Sequence, residues 1–132
     1  LRHAPGLRAQ DGVEIVSVAN RSRESGERFA SEFEIPKVYD NWVDLINADD
    51  TDAICIGTWP NMHCEMTLAA LKAGKHILTE ARMAMNLAEA RQMLAAAQRT
   101  DCVAMVVPAP MVLESESTLL EMIVDGFFGD WL

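Results

Sequence analysis

The sequence predicts an α/β domain in which a mostly parallel sheet carries helices on both faces. Short apolar, β-branched runs alternate with stretches whose apolar residues recur at helical spacing, the pattern that parallel strands joined by crossover helices produce. One run, Ala53-Ile54-Cys55-Ile56-Gly57, is apolar at almost every position, the mark of a strand covered on both faces. The chain has 132 residues, half of them apolar and only 6% aromatic. That is long enough for one domain with a real core, since a chain of about 150 residues buries roughly 70% of its unfolded surface.

The elements follow in order. Leu1 to Ala9 reads as the last turns of a helix, and Val13 to Ala19, after Asp11-Gly12, as a strand. Ser22 is placed to cap a helix running to Phe33, with Phe29, Ala30 and Phe33 on one face and Pro36 stopping it. Lys37-Val38-Tyr39 is a minimal strand. A short helix from Asn41 to Asn47 turns Trp42, Leu45 and Ile46 inward.

After the Asp49-Asp50-Thr51 turn and the Ala53–Gly57 strand, Asn61 to Ala73 is helical, with Met66, Leu68, Ala69 and Leu71 as its apolar contacts and Gly74 closing it. His76 to Thr79 is the next strand. Asn86 caps a helix from Leu87 to Gln98 that carries Met93 and Leu94, and Val103 to Val107 reads as another buried strand. Pro108 and Pro110 break the pattern before a last helix from about Ser115 to Asp125.

Composition narrows the function classes. Twenty acidic residues against eleven basic ones leave a formal charge of −9, which repels nucleic-acid phosphates and anionic membranes. Cys55, Cys64 and Cys102 are odd in number and form no C-x-x-C pair, so neither a disulfide framework nor a zinc site is indicated, and a reducing cytoplasm is the expected compartment. Cys64 beside His63 does not make a metal pair either, because adjacent helical residues diverge by about 100°. No apolar run reaches the roughly 20 residues that span a bilayer.

In an open parallel sheet, ligands bind beyond the carboxyl ends of the strands. The residues to read are therefore the Asn20, Thr58, Glu80 and Pro108 groups. One of them carries a resemblance. Leu71-Lys72-Ala73-Gly74-Lys75-His76-Ile77-Leu78-Thr79-Glu80, a helix ending in Ala-Gly-Lys-His, a short apolar strand and an acidic residue opening a loop, resembles the glucose-fructose oxidoreductase, inositol dehydrogenase and MocA-like family of nicotinamide-dependent dehydrogenases. That family's loop reads Glu-Lys-Pro. Here Ala81 and Arg82 stand at the lysine and proline positions.

The resemblance implies a Rossmann-like fold, a nicotinamide dinucleotide as cofactor and a small-molecule substrate. Asn20, Arg21 and Ser22 then fall at the adenosine ribose, where an acidic residue would select NAD. Arg21 and Ser22 instead offer donors to a 2'-phosphate, which points to NADP (or NAD, with Asn20 on a ribose hydroxyl). The other reading of these residues is a surface arginine beside a helix cap.

Thr58, Trp59, Pro60 and His63 resemble the family's Thr-Pro-x-x-x-His turn near the nicotinamide, with Trp59 as an added residue whose ring could stack on the cofactor or cover the helix start. Glu80 is expected to accept a hydrogen bond from the nicotinamide ribose. The catalytic residue stays unknown, since Ala81 has no functional side chain and the guanidinium of Arg82 does not act readily as a base. Lys75, about 13 Å away at the other end of its strand, is expected to be structural.

The family begins with a strand and a G-x-G-x-x-G loop, and no such motif occurs here. The expected division is a partial dinucleotide-binding domain over residues 1–128, with 129–132 starting a substrate domain. The absent first strand would lie between the strands at Val13 and Ala53, so two edges need covering. Three arrangements account for this: the chain is a fragment, the two strands close directly on each other, or a partner, such as a second copy, pairs with them. The leading expectation is a truncated oxidoreductase domain, ancestrally moving hydride to or from a sugar or polyol and inactive as this chain. The alternative is a non-catalytic nucleotide- or anion-binding or assembly module.

Overall fold

The computed structural model describes residues 3–107 and 116–129. Helix α1 (His3–Arg8) leads to β1 (Ser17–Ala19), α2 (Arg23–Glu32), β2 (Lys37–Tyr39), α3 (Trp42–Ile46) and β3 (Ala53–Ile56). Then come α4 (Pro60–Lys72), β4 (His76–Thr79), α5 (Leu87–Ala97), β5 (Ala104–Val106) and α6 (Glu116–Val124). Among the described residues every strand pairing is parallel. The expected Rossmann-like α/β class holds.

Side chains set the helix ends. Ser22, Asn41 and Asn86 each accept a hydrogen bond from the backbone N–H three residues on, satisfying donors that the first turn leaves free. Pro60 opens α4, one residue earlier than expected, because a residue without an N–H costs nothing there. Gly74 takes φ +74°, and Lys75 N–H reaches back to Ala70 O at 2.9 Å, closing α4 with the left-handed turn that glycine permits. Lys75 is structural: its Nζ donates to the carbonyls of Ala48 and Thr51 at 2.8 and 2.6 Å.

Among the described residues the strands form two sheets, β1-β2 and β3-β4-β5. β1 and β3 share no ladder, so of the three arrangements considered for their edges, direct closure on each other is overturned. β1 is also shorter than the expected Val13–Ala19. Only Lys37 to Tyr39 is available opposite it, in register Ser17 to Lys37 and Ala19 to Tyr39, and a ladder extends no further than its partner.

The main core lies under the larger sheet. Ile46 of α3, Ile54 and Ile56 of β3, Ala70 and Leu71 of α4 and Ile77 of β4 are buried together, with Trp42, Leu45, Met66 and Ala69 packed against them. Burial is one-sided. Ala53 and Cys55 are exposed while Ile54 and Ile56 are buried, β5 is exposed throughout, and so is Leu94. The expectation that β3 and β5 are covered on both faces is therefore corrected. An apolar run shows what a strand is able to bury, not whether a layer lies over it.

Candidate functional site

Three turns converge at the carboxyl ends of β1, β3 and β4. The fourth group, beginning at Pro108, lies outside the described residues, as do residues 130–132. After β1, the amide of Asn20 donates to the Ser25 carbonyl at 3.1 Å and to the Ser25 hydroxyl at 3.2 Å, fixing the turn against the start of α2. Ser22 accepts from Ser25 N–H at 3.3 Å as the cap, which leaves its O–H free to donate outward. Arg21 is exposed.

The Arg21 guanidinium sits 5.9 Å from the centroid of the Trp59 ring, within range of a cation–π contact. This joins the turn after β1 to the turn after β3, two segments that no sheet ladder connects. Trp59 is 67% exposed, so the indole also presents a wide flat surface to solvent. Thr58 is exposed beside it, and Pro60 starts α4 behind it.

His63 joins the turn after β3 to the loop after β4. Its Nδ1 lies 2.8 Å from the Arg82 carbonyl and its Nε2 2.9 Å from the Thr58 carbonyl. The residue is only 1% exposed. A neutral imidazole donates from one nitrogen, and both nitrogens donate only when the ring carries a second proton. Either way both ring nitrogens are turned to the backbone. His63, expected either beside the cofactor or as a first-turn helix residue with no ligand, is buried and holds two loops together.

Glu80 continues the β4 ladder, its N–H donating to Ile56 O at 3.1 Å, and its half-buried carboxylate leaves the end of the strand. One carboxylate oxygen, Oε1, pairs with Nε2 of His3 from α1. The sequence reading missed His3, because nothing in local spacing connects residues 77 positions apart. Ala81 and Arg82 are both exposed, and the peptide between them is cis.

Cys55, on β3, has its thiol pKa raised first by desolvation and then by the negative charge of Glu80, so it is a poor nucleophile at neutral pH. Cys64 is raised likewise, by burial and then by Glu89. Among the described residues no three His, Cys, Asp or Glu side chains gather to hold a metal, and no helix is long and apolar enough to cross a membrane. A shallow concavity of about 280 Å³ between α3 and α4 is lined by Trp42, Asn47 and Lys72. It lies at the carboxyl end of α4, the wrong end of the sheet for a strand-end ligand.

Comparison with known proteins supplies the family. Residues 1–107 match the GFO/IDH/MocA oxidoreductase family, NAD-binding Rossmann fold. A 1,5-anhydro-D-fructose reductase from Ensifer adhaerens is 40% identical over 92 residues, covering 70% of this chain and 28% of the relative. A lysine-to-alanine mutant of a 3-ketoreductase from Actinomadura kijaniata, solved with TDP-benzene and NADP, superimposes with TM-score 0.81 at 26% identity over 96% of this chain and 40% of its own.

The myo-inositol 2-dehydrogenase of Lactobacillus plantarum has the same fold, with TM-score 0.81 at 23% identity over 98% of this chain and 39% of its own. The chain thus spans between about a quarter and two fifths of the length of these proteins. It belongs to the GFO/IDH/MocA oxidoreductase family and carries that family's NAD-binding Rossmann fold.

Proposed function

We propose that this chain is the dinucleotide-binding part of an oxidoreductase that moves hydride between NADP and a carbon of a sugar or polyol. A nicotinamide cofactor supplies the hydride acceptor or donor. The observation that carries this reading is the convergence of the three turns, tied by Arg21 over Trp59 and by His63 between Thr58 and Arg82. In it, Arg21 and the Ser22 hydroxyl take the 2'-phosphate of the adenosine ribose. Asn20, fixed on Ser25, shapes the turn that presents them.

Trp59 offers a stacking face, Thr58 and Pro60 shape the turn beneath the nicotinamide, and the second oxygen of Glu80 accepts from its ribose. His63 serves by positioning. The substrate class is proposed by analogy with the 1,5-anhydro-D-fructose reductase that the chain resembles. The division at residues 128 and 129, a cytoplasmic location and a second copy covering the edges of β1 and β3 belong to the same proposal.

By itself the chain is expected to bind the cofactor weakly and turn nothing over. The family's lysine position holds Ala81, and no glycine-rich loop is present to receive a pyrophosphate. Nanomolar NADP binding by calorimetry would contradict this. A second reading, a non-catalytic nucleotide- or anion-binding module acting through Arg21 and Arg82, is favoured by the same alanine. Specificity is tested by Arg21→Ala. The variant should weaken NADP binding about tenfold and leave NAD binding nearly unchanged, as expected for loss of a charged hydrogen bond to phosphate. Equal loss for both nucleotides would remove the 2'-phosphate role.

A further inference from the structure

We propose that His3 and Glu80 form a carboxylate–imidazole pair that handles the substrate proton at the nicotinamide end of the site. The inference rests on the dinucleotide-binding reading above and assigns a role to a residue the sequence reading passed over. Its starting point is geometric. His3 Nε2 contacts Glu80 Oε1 across 77 positions of sequence, and a Cβ built on Gly57 would lie 3.9 Å from His3 Cδ2. The ring is thus seated against the ends of both β3 and β4, where the strand-end ligand belongs.

The pair divides its atoms between two tasks. Glu80 uses Oε1 on the imidazole and keeps Oε2 for a ribose hydroxyl, well within the acceptor capacity of a carboxylate. With Nε2–H directed at the carboxylate, the tautomer is set and the lone pair of Nδ1 faces away. No partner for Nδ1 occurs among the described residues. The two side chains are 31% and 41% exposed, so a ligand has access while the contact is partly shielded. A carboxylate behind an imidazole fixes the ring's tautomer and orientation and stabilises its protonated form, and imidazole is the side chain suited to exchanging a proton near neutral pH.

The chemistry needs such a group. Oxidation of an alcohol carbon breaks its C–H bond, whose hydride goes to the nicotinamide, and its O–H bond, whose proton goes to a base as the C=O forms. Ala81 supplies no base, and Arg82 stays protonated. Nδ1 of His3 accepts the proton and passes it to water, with the Glu80 carboxylate held against the other ring nitrogen. In reduction the same atoms run in reverse. The groups charged or titratable around the pair are Cys55 on β3, whose thiol feels Glu80, and Arg82 on the loop itself. On α1, Arg8 is occupied with Phe33 and Glu34.

The test uses the whole 132-residue chain with isotope-labelled histidine rings, observed by NMR while NADP or adenosine 2',5'-bisphosphate, which lacks the nicotinamide, is added. The expected result is a His3 ring protonated at Nε2 whose resonances move with NADP but not with the bisphosphate. Those of His76 stay still in both cases. Glu80→Gln should abolish the Nε2 tautomer preference without unfolding the chain, as judged by unchanged backbone amide resonances of the core residues Ile46, Ala70 and Leu71. Binding of both nucleotides with no nicotinamide-dependent movement of His3 would overturn the pair while leaving the dinucleotide site intact. Failure of both to bind would overturn both readings.

Discussion

The two sheets of this molecule are built from similar local sequence yet do different things. β3, β4 and β5 sit on a core in which Ile46, Ile56 and Ala70 are at most 1% exposed. In β1 and β2 no residue is fully buried, and their packing depends on α2 through Ala30 and Gly26. The larger sheet carries the fold's stability. The smaller one carries Arg21 and Ser22, the residues expected to choose between cofactors, and reaches the larger at the site through the Arg21–Trp59 contact. On the proposed function, a stable frame presents a more weakly held turn that would choose the cofactor, a common division of labour in ligand-binding folds.

Unequal core substitutions give the largest test of this contrast. Ile56→Ala should cost about 3 kcal/mol, because it opens a cavity among side chains with little room to collapse. Val38→Ala, at a half-buried position of β2, should cost about 1 kcal/mol. Denaturant titration of both variants checks the difference, and equal losses would show that the two sheets are one cooperative core after all.

A smaller effect of opposite sign sharpens the picture. Thr79, at the end of β4, is 2% exposed, and its buried hydroxyl has no hydrogen-bond partner among the described residues. Thr79→Val keeps the shape and removes the orphaned group, so a gain of about 1 kcal/mol is expected. A loss would mean that the hydroxyl finds a partner in solution, such as a bound water.

The smallest effect is electrostatic. Lys37 of β2 pairs with Asp50 in the loop before β3, and both groups lie at the surface. The Asp50 carboxyl is lowered by its hydrogen bond and charge interaction with Lys37, so its contribution is present above the ordinary carboxylate range and is lost as pH falls through the lowered value. The Lys37 ammonium is raised by the same partner, so its contribution is present below the ordinary lysine range and is lost as pH rises through the raised value. Asp50→Asn should flatten the acid limb of a Tm-against-pH curve by lowering Tm slightly at neutral pH, where the pair is formed, and leaving it unchanged at low pH, where Asp50 is already protonated. An unchanged acid limb would show that the pair adds nothing to stability.

Particular residues show how far the sequence could be read. The caps Ser22 and Asn86 and the helix stop at Gly74 were legible because each acts within four residues of itself. The apolar runs of β3 and β5 were legible as strands, but not that β3 is covered on one face and β5 is exposed throughout, since coverage belongs to other segments. Glu80 could be placed from its motif, whereas His3 could not, because its meaning lies in a contact made by the folded chain. His63 was legible only as a candidate for the site, and its inward direction is settled by two carbonyls from loops on either side.

The central claim is that the carboxyl ends of β1, β3 and β4 form one nicotinamide dinucleotide site. Backbone amide NMR of the chain titrated with NADP tests it most directly, since weak binding is still visible there. The account predicts saturable shifts concentrated at Arg21, Ser22, Trp59 and Glu80 and none around Trp42 and Lys72. The absence of saturable binding, or shifts centred on the α3–α4 concavity, would contradict it.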